Sequence, residues 1–176
     1  NKEFIAINLT GNEARIRSSF YSGASGAYRP LTFYTSDTER LRIDSDGRLL
    51  VGTTTEGQSS ADNLTIADAA NCGVTIRSGT TNYGSIYFSD ATSGGGEYDG
   101  YIQYSQNTQY LSFGTAQAER LRITSAGAVG IGTNSPQSQF EVYGSSPIVR
   151  SKHSTSQKYT QINHNGTDGY LDWSSG

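Results

Sequence analysis

Hydrophobic and polar residues alternate along many short stretches of the chain, and this period of two predicts β-strands. In Glu39–Ile43, the two arginines share one face of such a strand, and Leu41 and Ile43 share the other. A turn rich in Asp, Ser and Gly follows, and Leu49–Gly52 then returns as a second strand, so the block predicts a β-hairpin. No segment combines capping residues with a 3.6-residue period, and we therefore predict no helix.

The same alternation predicts further strands outside this block. Each candidate contains β-branched or aromatic residues and is bounded by residues that favour turns. These strands are Phe4–Leu9, Ala14–Ser18, Leu64–Ile66, Gly73–Arg77, Ser85–Ser89, Tyr101–Tyr104, Tyr110–Phe113, Phe140–Tyr143, Ile148–Arg150 and Tyr159–Asn163.

The hairpin block belongs to an internal repeat, because Glu39–Ile43 recurs letter for letter as Glu119–Ile123. The second strand of the hairpin, Leu49–Gly52, recurs in a similar form as Val129–Gly132. In this second copy, Gly130 and Gly132 leave one face of the strand nearly bare, which favours the close approach of another backbone. The first copy has the bulkier Leu50 where the second has Gly130, which puts identical packing of the two copies in question.

A second, more divergent block marks where each repeat unit opens. It reads Ile-Arg-Ser at Ile16 and Ile76, and Val-Arg-Ser at Val149. The distance from this block to the hairpin is longer in the second unit, which predicts extra hairpin material around residues 80–100. Because the third copy stops before its hairpin, we expect the chain to be an excerpt from a longer array. The units are residues 1–56, 57–136 and 137–176, of which the last is truncated.

The composition predicts that these units cannot complete a core by themselves. Hydrophobic residues make up only 34% of the chain and charged residues only 16%, so each hairpin has little apolar surface to bury. Neighbouring units or other chains must supply the rest. We therefore predict an all-β fold of short strands and hairpins in an elongated fibre, intertwined as a homotrimer that also covers strand edges. The predicted shared core contains Leu41, Ile43, Leu121, Ile123, Val129 and Ile131.

Charge and cysteine content exclude several functional classes. The formal net charge of −3 provides no basic surface for nucleic acid. No apolar run approaches the length needed to cross a bilayer, so we expect no membrane insertion. The single cysteine, Cys72, cannot form an intrachain disulfide, and we interpret it as a small hydrophobic residue.

The second copy of the repeat also carries a family resemblance. Glu119–Pro136, followed by Phe140–Val142, resembles the repeat found in tail fibres and other long structural proteins of bacteriophages, especially marine and cyanobacterial ones. Gly73–Gly79 and Gly84–Asp90 look like the rest of that unit. The resemblance implies location in an extracellular appendage of the virion, assembly as a homotrimeric fibre, and a part in host attachment. The implied partners are copies of the chain, other virion or tail proteins, and a glycan or protein of the host surface.

Catalytic and metal sites find little support in the sequence. The turn Asp44–Gly47 has the alternating carboxylates of a calcium loop, but the equivalent Thr124–Gly127 has none, which favours a plain turn. Glycoside cleavage needs a pair of carboxylates across a groove, and no spacing singles out such a pair. We therefore predict no enzyme activity, no metal and no cofactor. The carboxylates considered are Glu97, Asp99, Asp168 and Asp172.

Four aromatic residues are candidates for contact with a partner. Their rings could stack on a sugar or a protein, or they could pack across neighbouring strands, and the second interpretation is favoured by their β-propensity. They are Tyr98, Tyr101, Tyr104 and Trp173.

Two alternatives to a structural fibre segment stay open. One is a host-glycan depolymerase segment, which would release sugar by means of a carboxylate. The other is a monomeric bacterial surface adhesin built as a solenoid, which closes its own core. Oligomeric mass and enzymatic assay separate the three.

Overall fold

The computed structural model of the chain describes residues 3–10, 13–20, 29–152, 159–164 and 169–173. Strands account for 44% of the chain. Within the described ranges no α-helix occurs. The predicted all-β fold class is therefore confirmed.

Fifteen strands are found in these ranges: β1 Glu3–Thr10, β2 Glu13–Phe20, β3 Leu31–Thr35, β4 Thr38–Ile43, β5 Leu49–Val51, β6 Leu64–Ile66, β7 Tyr83–Phe88, β8 Gly100–Ser105, β9 Leu111–Thr115, β10 Ala118–Ile123, β11 Val129–Ile131, β12 Phe140–Val142, β13 Ile148–Lys152, β14 Tyr159–His164 and β15 Gly169–Trp173. A 3₁₀ turn at Gly94–Tyr98 separates β7 from β8. Hydrogen bonds arrange the described strands into four sheets, which contain β1–β2, β3–β6, β7–β12 and β13–β15 in chain order.

The chain divides into two compact units, residues 1–75 and 76–176. The first unit contains the two-stranded and four-stranded sheets, and the second contains the six-stranded and three-stranded sheets. One arrangement of four strands occurs in both units. We call β3–β6 the first module and β9–β12 the second module.

The two modules share their strand pairing. Their first three strands are separated along the chain by the same interval as the two copies of the sequence repeat. Leu41 lies opposite Val51 in the first module, and Leu121 lies opposite Ile131 in the second. The predicted hairpin is thus confirmed in both copies, and Leu50 does not alter its register.

Each module ends with a parallel strand, a pairing that the sequence analysis did not foresee. The strand β6 runs parallel to β5, and β12 runs parallel to β11. The connecting segments are residues 52–63 and 132–139. Sheet pairing therefore crosses both sequence boundaries, at residues 56 and 136.

The predicted strand Gly73–Arg77 is wrong, because the structure forms no strand there. Its alternating Val74 and Ile76 remain 70% and 46% exposed, although Ile76 Cγ2 lies only 3.4 Å from the position of a Cβ atom on Gly84. Alternation that leaves the apolar side chains this exposed does not by itself stabilise a strand. The hairpin material predicted around residues 80–100 is the hairpin of β7 and β8, which spans residues 83–105. The strand β15 was not predicted, although it resembles β8 in sequence.

Candidate interaction surface

One face of the six-stranded sheet carries apolar side chains almost without interruption. Residues that pair across antiparallel or parallel strands share a face, so the registers define two rows that run across the sheet. We call this surface the aliphatic face of the second module, and the name includes the strands β7 and β8 that extend the sheet of that module. The first row is Ile86, Ile102, Phe113, Leu121, Ile131 and Val142, and the second is Gly84, Tyr104, Leu111, Ile123, Val129 and Phe140.

The aliphatic face is open rather than buried. Ile131 is 37% exposed, Ile86 is 48% exposed and Phe140 is 55% exposed. Scattered exposed hydrophobic residues are ordinary, but contiguous apolar patches of this kind mark interaction sites. The face is therefore a candidate interaction surface.

The first module presents the same face across four strands. Phe33 is 47% exposed, Ile43 is 40% exposed and Leu64 is 54% exposed. Its two rows are Phe33, Leu41, Val51 and Ile66, and Leu31, Ile43, Leu49 and Leu64. All six residues predicted for the oligomer core lie on the two aliphatic faces. Their burial between chains stays a prediction.

The connections to the parallel strands lie on the face opposite the aliphatic one in each module. A Cβ atom on Gly130 would lie 2.6 Å from the carbonyl oxygen of Thr133 and 3.4 Å from Pro136 Cδ, both in the connection. In the first module the longer connection leaves room for Leu50, which is only 1% exposed. The Gly57 amide of that connection donates to Thr65 Oγ1 on the same face. The close approach expected at the bare face is therefore present.

The covered face of each hairpin carries an arginine paired with a glutamate. Arg122 donates from Nε and Nη2 to the two carboxylate oxygens of Glu119, at 2.8 and 2.6 Å. Its guanidinium carbon lies 3.6 Å from the centroid of the Tyr110 ring. Arg42 makes the equivalent pair with Glu39. These contacts hold the arginines on the face opposite the aliphatic one.

Replacing Arg122 with Ser is expected to lower the free energy of unfolding by about 1–2 kcal/mol. The change removes a two-point ion pair and a cation–π contact at a side chain that is only 17% exposed. Arg120→Ser is the matched control in the same strand, because the Arg120 side chain is exposed and its Nε donates to the carbonyl and hydroxyl of Thr115. Urea denaturation of both variants measures the difference. If both variants lost the same free energy of unfolding, the ion pair and the cation–π contact of Arg122 would not stabilise the hairpin.

The turn of the first module contains an ionic cluster that the second module lacks. Arg48 Nε lies 2.7 Å from Asp44, and its Nη2 and Nη1 lie 2.9 and 3.3 Å from Asp46 and Asp62. Asp44 also accepts the backbone N–H groups of Asp46 and Arg48. The carboxylate considered for calcium is thus engaged by an arginine. In the second module, the hydroxyl of Thr124 accepts the Ala128 amide instead.

Acid is expected to destabilise the first module through these carboxylates. The backbone N–H of Arg48, followed by its guanidinium, lowers the pKa of Asp44, and hydrogen bonds from Arg42 lower the pKa of Glu39. A lowered pKa in the folded state contributes stability above the unfolded-state pKa, and this contribution disappears as pH falls through the folded-state pKa. The loss should therefore appear below about pH 4.3.

The test is the thermal midpoint between pH 6 and pH 3. The triple variant Asp44→Thr, Asp46→Ala and Arg48→Ala gives the first module the turn residues of the second. It should show a shallower decline of the midpoint than the parent. The same decline in both proteins would show that this cluster does not carry the acid sensitivity.

The two predicted contact aromatics of β8, Tyr101 and Tyr104, lie on opposite faces of the sheet. Tyr101 lies on the arginine face, where a Cβ atom on Gly114 would be only 2.0 Å from its ring, and burial raises the pKa of its hydroxyl. Tyr104 lies on the aliphatic face opposite Leu111. Trp173 belongs to a different sheet, opposite Thr160.

Tyr98 instead has a neighbour that the sequence analysis missed. Its ring centroid lies 6.5 Å from that of Tyr87, and both side chains are about half exposed. Gln103 Nε2 donates to the Tyr87 hydroxyl and to Ser85 Oγ, which fixes the Tyr87 ring. The face of Tyr87 could have been predicted from the sequence, because Ser85 and Tyr87 are two residues apart in β7 and therefore lie on the same face.

Of the carboxylates considered for catalysis, the structure describes the side chains of Glu97 and Asp99, and the side chain of Asp172 lies outside its description. Asp99 accepts a hydrogen bond from Gln117 Nε2 at 2.8 Å. A shallow cleft beside β11 includes Glu119, but both oxygens of that carboxylate accept from Arg122. Asp168 lies outside the described residues. Among the residues that the structure describes, no group of three or more His, Cys, Asp or Glu side chains could hold a metal.

Comparison of the chain with protein-family models and with curated proteins finds no match. In the described part of the chain, no helix is long and apolar enough to span a bilayer. The functional assignment must therefore rest on the repeated modules and on their open aliphatic faces.

Proposed function

We propose that the chain is a structural segment of a repetitive, self-associating fibre, of the phage tail-fibre kind that its repeat resembles. In this role three copies bring their aliphatic faces together, and the assembled segment carries or extends the part of a virion appendage that reaches the host surface. Its partners are its own copies and the neighbouring virion proteins. Contact with a host glycan or protein is part of the same proposal.

The observation that carries the proposal is the repeated, uncovered aliphatic face. Both modules put their charged and hydrogen-bonded side chains on the covered face and leave the apolar rows open. A sheet in water normally buries its apolar face against another layer. Both copies of the repeat have an open apolar face and a covered polar face. This arrangement is therefore a property of the repeat and not of one local segment.

The ion pairs on the opposite face support a fibre rather than a catalytic surface. Glu119 and Glu39 each bind an arginine of their own strand through both carboxylate oxygens. Such pairing stabilises the hairpin and leaves these carboxylates without a free proton donor role. The repeat thus supplies stability on one face and association on the other.

The decisive measurement is the mass of the intact chain in solution, by sedimentation equilibrium and native mass spectrometry. The expected result is a species of three times the 18.9 kDa chain mass. A stable monomer would overturn the proposal and favour the solenoid adhesin. Release of reducing sugar from a host glycan, abolished by a carboxylate substitution such as Asp99→Ala, would instead favour the depolymerase.

A further inference from the structure

Among the described strands, none pairs with the outer edge of β3, whereas the equivalent edge of the second module is paired. In the second unit, β8 lies along β9 with Ile102 opposite Phe113. In the described part of the chain, β3 pairs only with β4. Phe33, the counterpart of Phe113, is 47% exposed, and Tyr34 beside it is 57% exposed. One repeat therefore has a strand at a position where the other has a free edge.

The hairpin β1–β2 has the pairing pattern of the hairpin β7–β8, which occupies that position in the second unit. Ile7 lies opposite Ile16 in the first hairpin, and Ile86 lies opposite Ile102 in the second. Each hairpin directly precedes the first strand of its module in the chain. The structure forms β1–β2 as a separate two-stranded sheet with Ile16 57% exposed. A hairpin of two strands is marginally stable in water by itself.

We propose that β2 adds to the open edge of β3, antiparallel and with Ile16 opposite Phe33. The first module then becomes a six-stranded sheet with the order of the second, β1-β2-β3-β4-β5-β6. An apolar row crosses all six strands in this register. It consists of Ile7, Ile16, Phe33, Leu41, Val51 and Ile66, which match Ile86, Ile102, Phe113, Leu121, Ile131 and Val142.

The register is fixed by the apolar pattern, because a slip of one residue would move Ile16 to the polar face. Residues 21–30 connect the two strands, and ten residues span up to about 33 Å, so chain length does not restrict the docking. The pairing satisfies the backbone groups of two edges and removes an exposed edge that would otherwise attract other chains. This proposal is independent of the trimer, since it concerns strand pairing within one chain.

Cysteine cross-linking tests the proposed register. In a Cys72→Ser background, Ile16→Cys with Phe33→Cys is oxidised by air in the presence of copper phenanthroline. Directly opposed residues lie within the Cα separation that a disulfide requires. The control pair is Ile16→Cys with Thr32→Cys, because Thr32 lies on the other face of β3. The expected result is an intrachain disulfide formed at least tenfold faster in the first pair than in the control. Equal rates, or a disulfide that links two chains, would overturn the proposal.

Hydrogen exchange of the wild-type chain gives a test that needs no substitution. In an edge strand, alternate amides face solvent and exchange freely, whereas a strand paired on both sides is protected at every amide. We expect both alternate sets of β3 amides to be protected, as in β9. Unprotected exchange of one alternate set in β3, with β9 fully protected, would overturn the proposal.

Discussion

Replacing Ile131 with Asp is expected to abolish the proposed trimer assembly and to cost roughly 3–5 kcal/mol of folding free energy per chain. Within one chain Ile131 is 37% exposed, so a carboxylate there could reach water and would cost little. A large loss follows only if another chain covers the aliphatic face and leaves the charge unpaired in apolar surroundings. Sedimentation equilibrium and thermal unfolding of the variant measure both effects.

Two matched variants distinguish the effect of a charge on the aliphatic face from the effect of an added charge elsewhere. Ser125→Asp adds the same charge to the exposed turn of the same hairpin and should leave the mass and the thermal midpoint almost unchanged. Val51→Asp, at the equivalent position of the first module, should reproduce the loss. If Ile131→Asp remained as stable and as oligomeric as the parent, a shared interior would be untenable.

The hairpin strands were predictable because a local pattern sufficed for them. Alternation in Glu39–Ile43 placed Leu41 and Ile43 on one face, and the structure confirms this through their partners Val51 and Leu49. The letter-for-letter recurrence at Glu119–Ile123 then predicted a second copy with the same register. Both inferences need only neighbouring residues and the period of a strand.

The parallel strands were not predictable in the same way. Alternation identified Leu64–Ile66 as a strand, but a strand's direction relative to its partner depends on the path of the connection, here residues 52–63. That path is set by long-range packing over Leu50, which no local pattern shows. The failure at Gly73–Arg77 has a related cause, because alternation shows which residues share a face but not whether a strand is available to pair with them.

The faces on which two of the candidate contact residues lie could have been predicted from the sequence. Tyr101 and Tyr104 are three residues apart in β8, so alternation alone places them on opposite faces. The structure accordingly puts Tyr101 against Gly114 and Tyr104 opposite Leu111. The partner of Tyr98 is Tyr87, across the hairpin, and this proximity depends on the loop that contains the 3₁₀ turn.

Replacing Gly132 with Ala is expected to lower the free energy of unfolding by about 3 kcal/mol. This glycine has a φ of +75°, and a Cβ atom on it would lie 2.4 Å from the carbonyl oxygen of Tyr143. The added methyl group would therefore impose left-handed strain and also push away the chain at the end of β12. Two hydrogen bonds depend on this approach, from Gly132 N to Arg120 O and from Tyr143 N to Ile131 O. Urea denaturation followed by circular dichroism measures the loss.

Gly127→Ala separates the two causes, because Gly127 has a similar φ of +82° but no atom within 4 Å of the added Cβ. It should cost about 1 kcal/mol from backbone strain alone. Gly52→Ala should behave like Gly132→Ala, since its Cβ would lie 2.2 Å from the carbonyl oxygen of Ala67. Equal losses of unfolding free energy at Gly127 and Gly132 would mean that the end of the parallel strand moves away from the added methyl group at no cost in free energy. A larger cost at Gly132 and Gly52 would show that close backbone contact with the end of the parallel strand stabilises both modules.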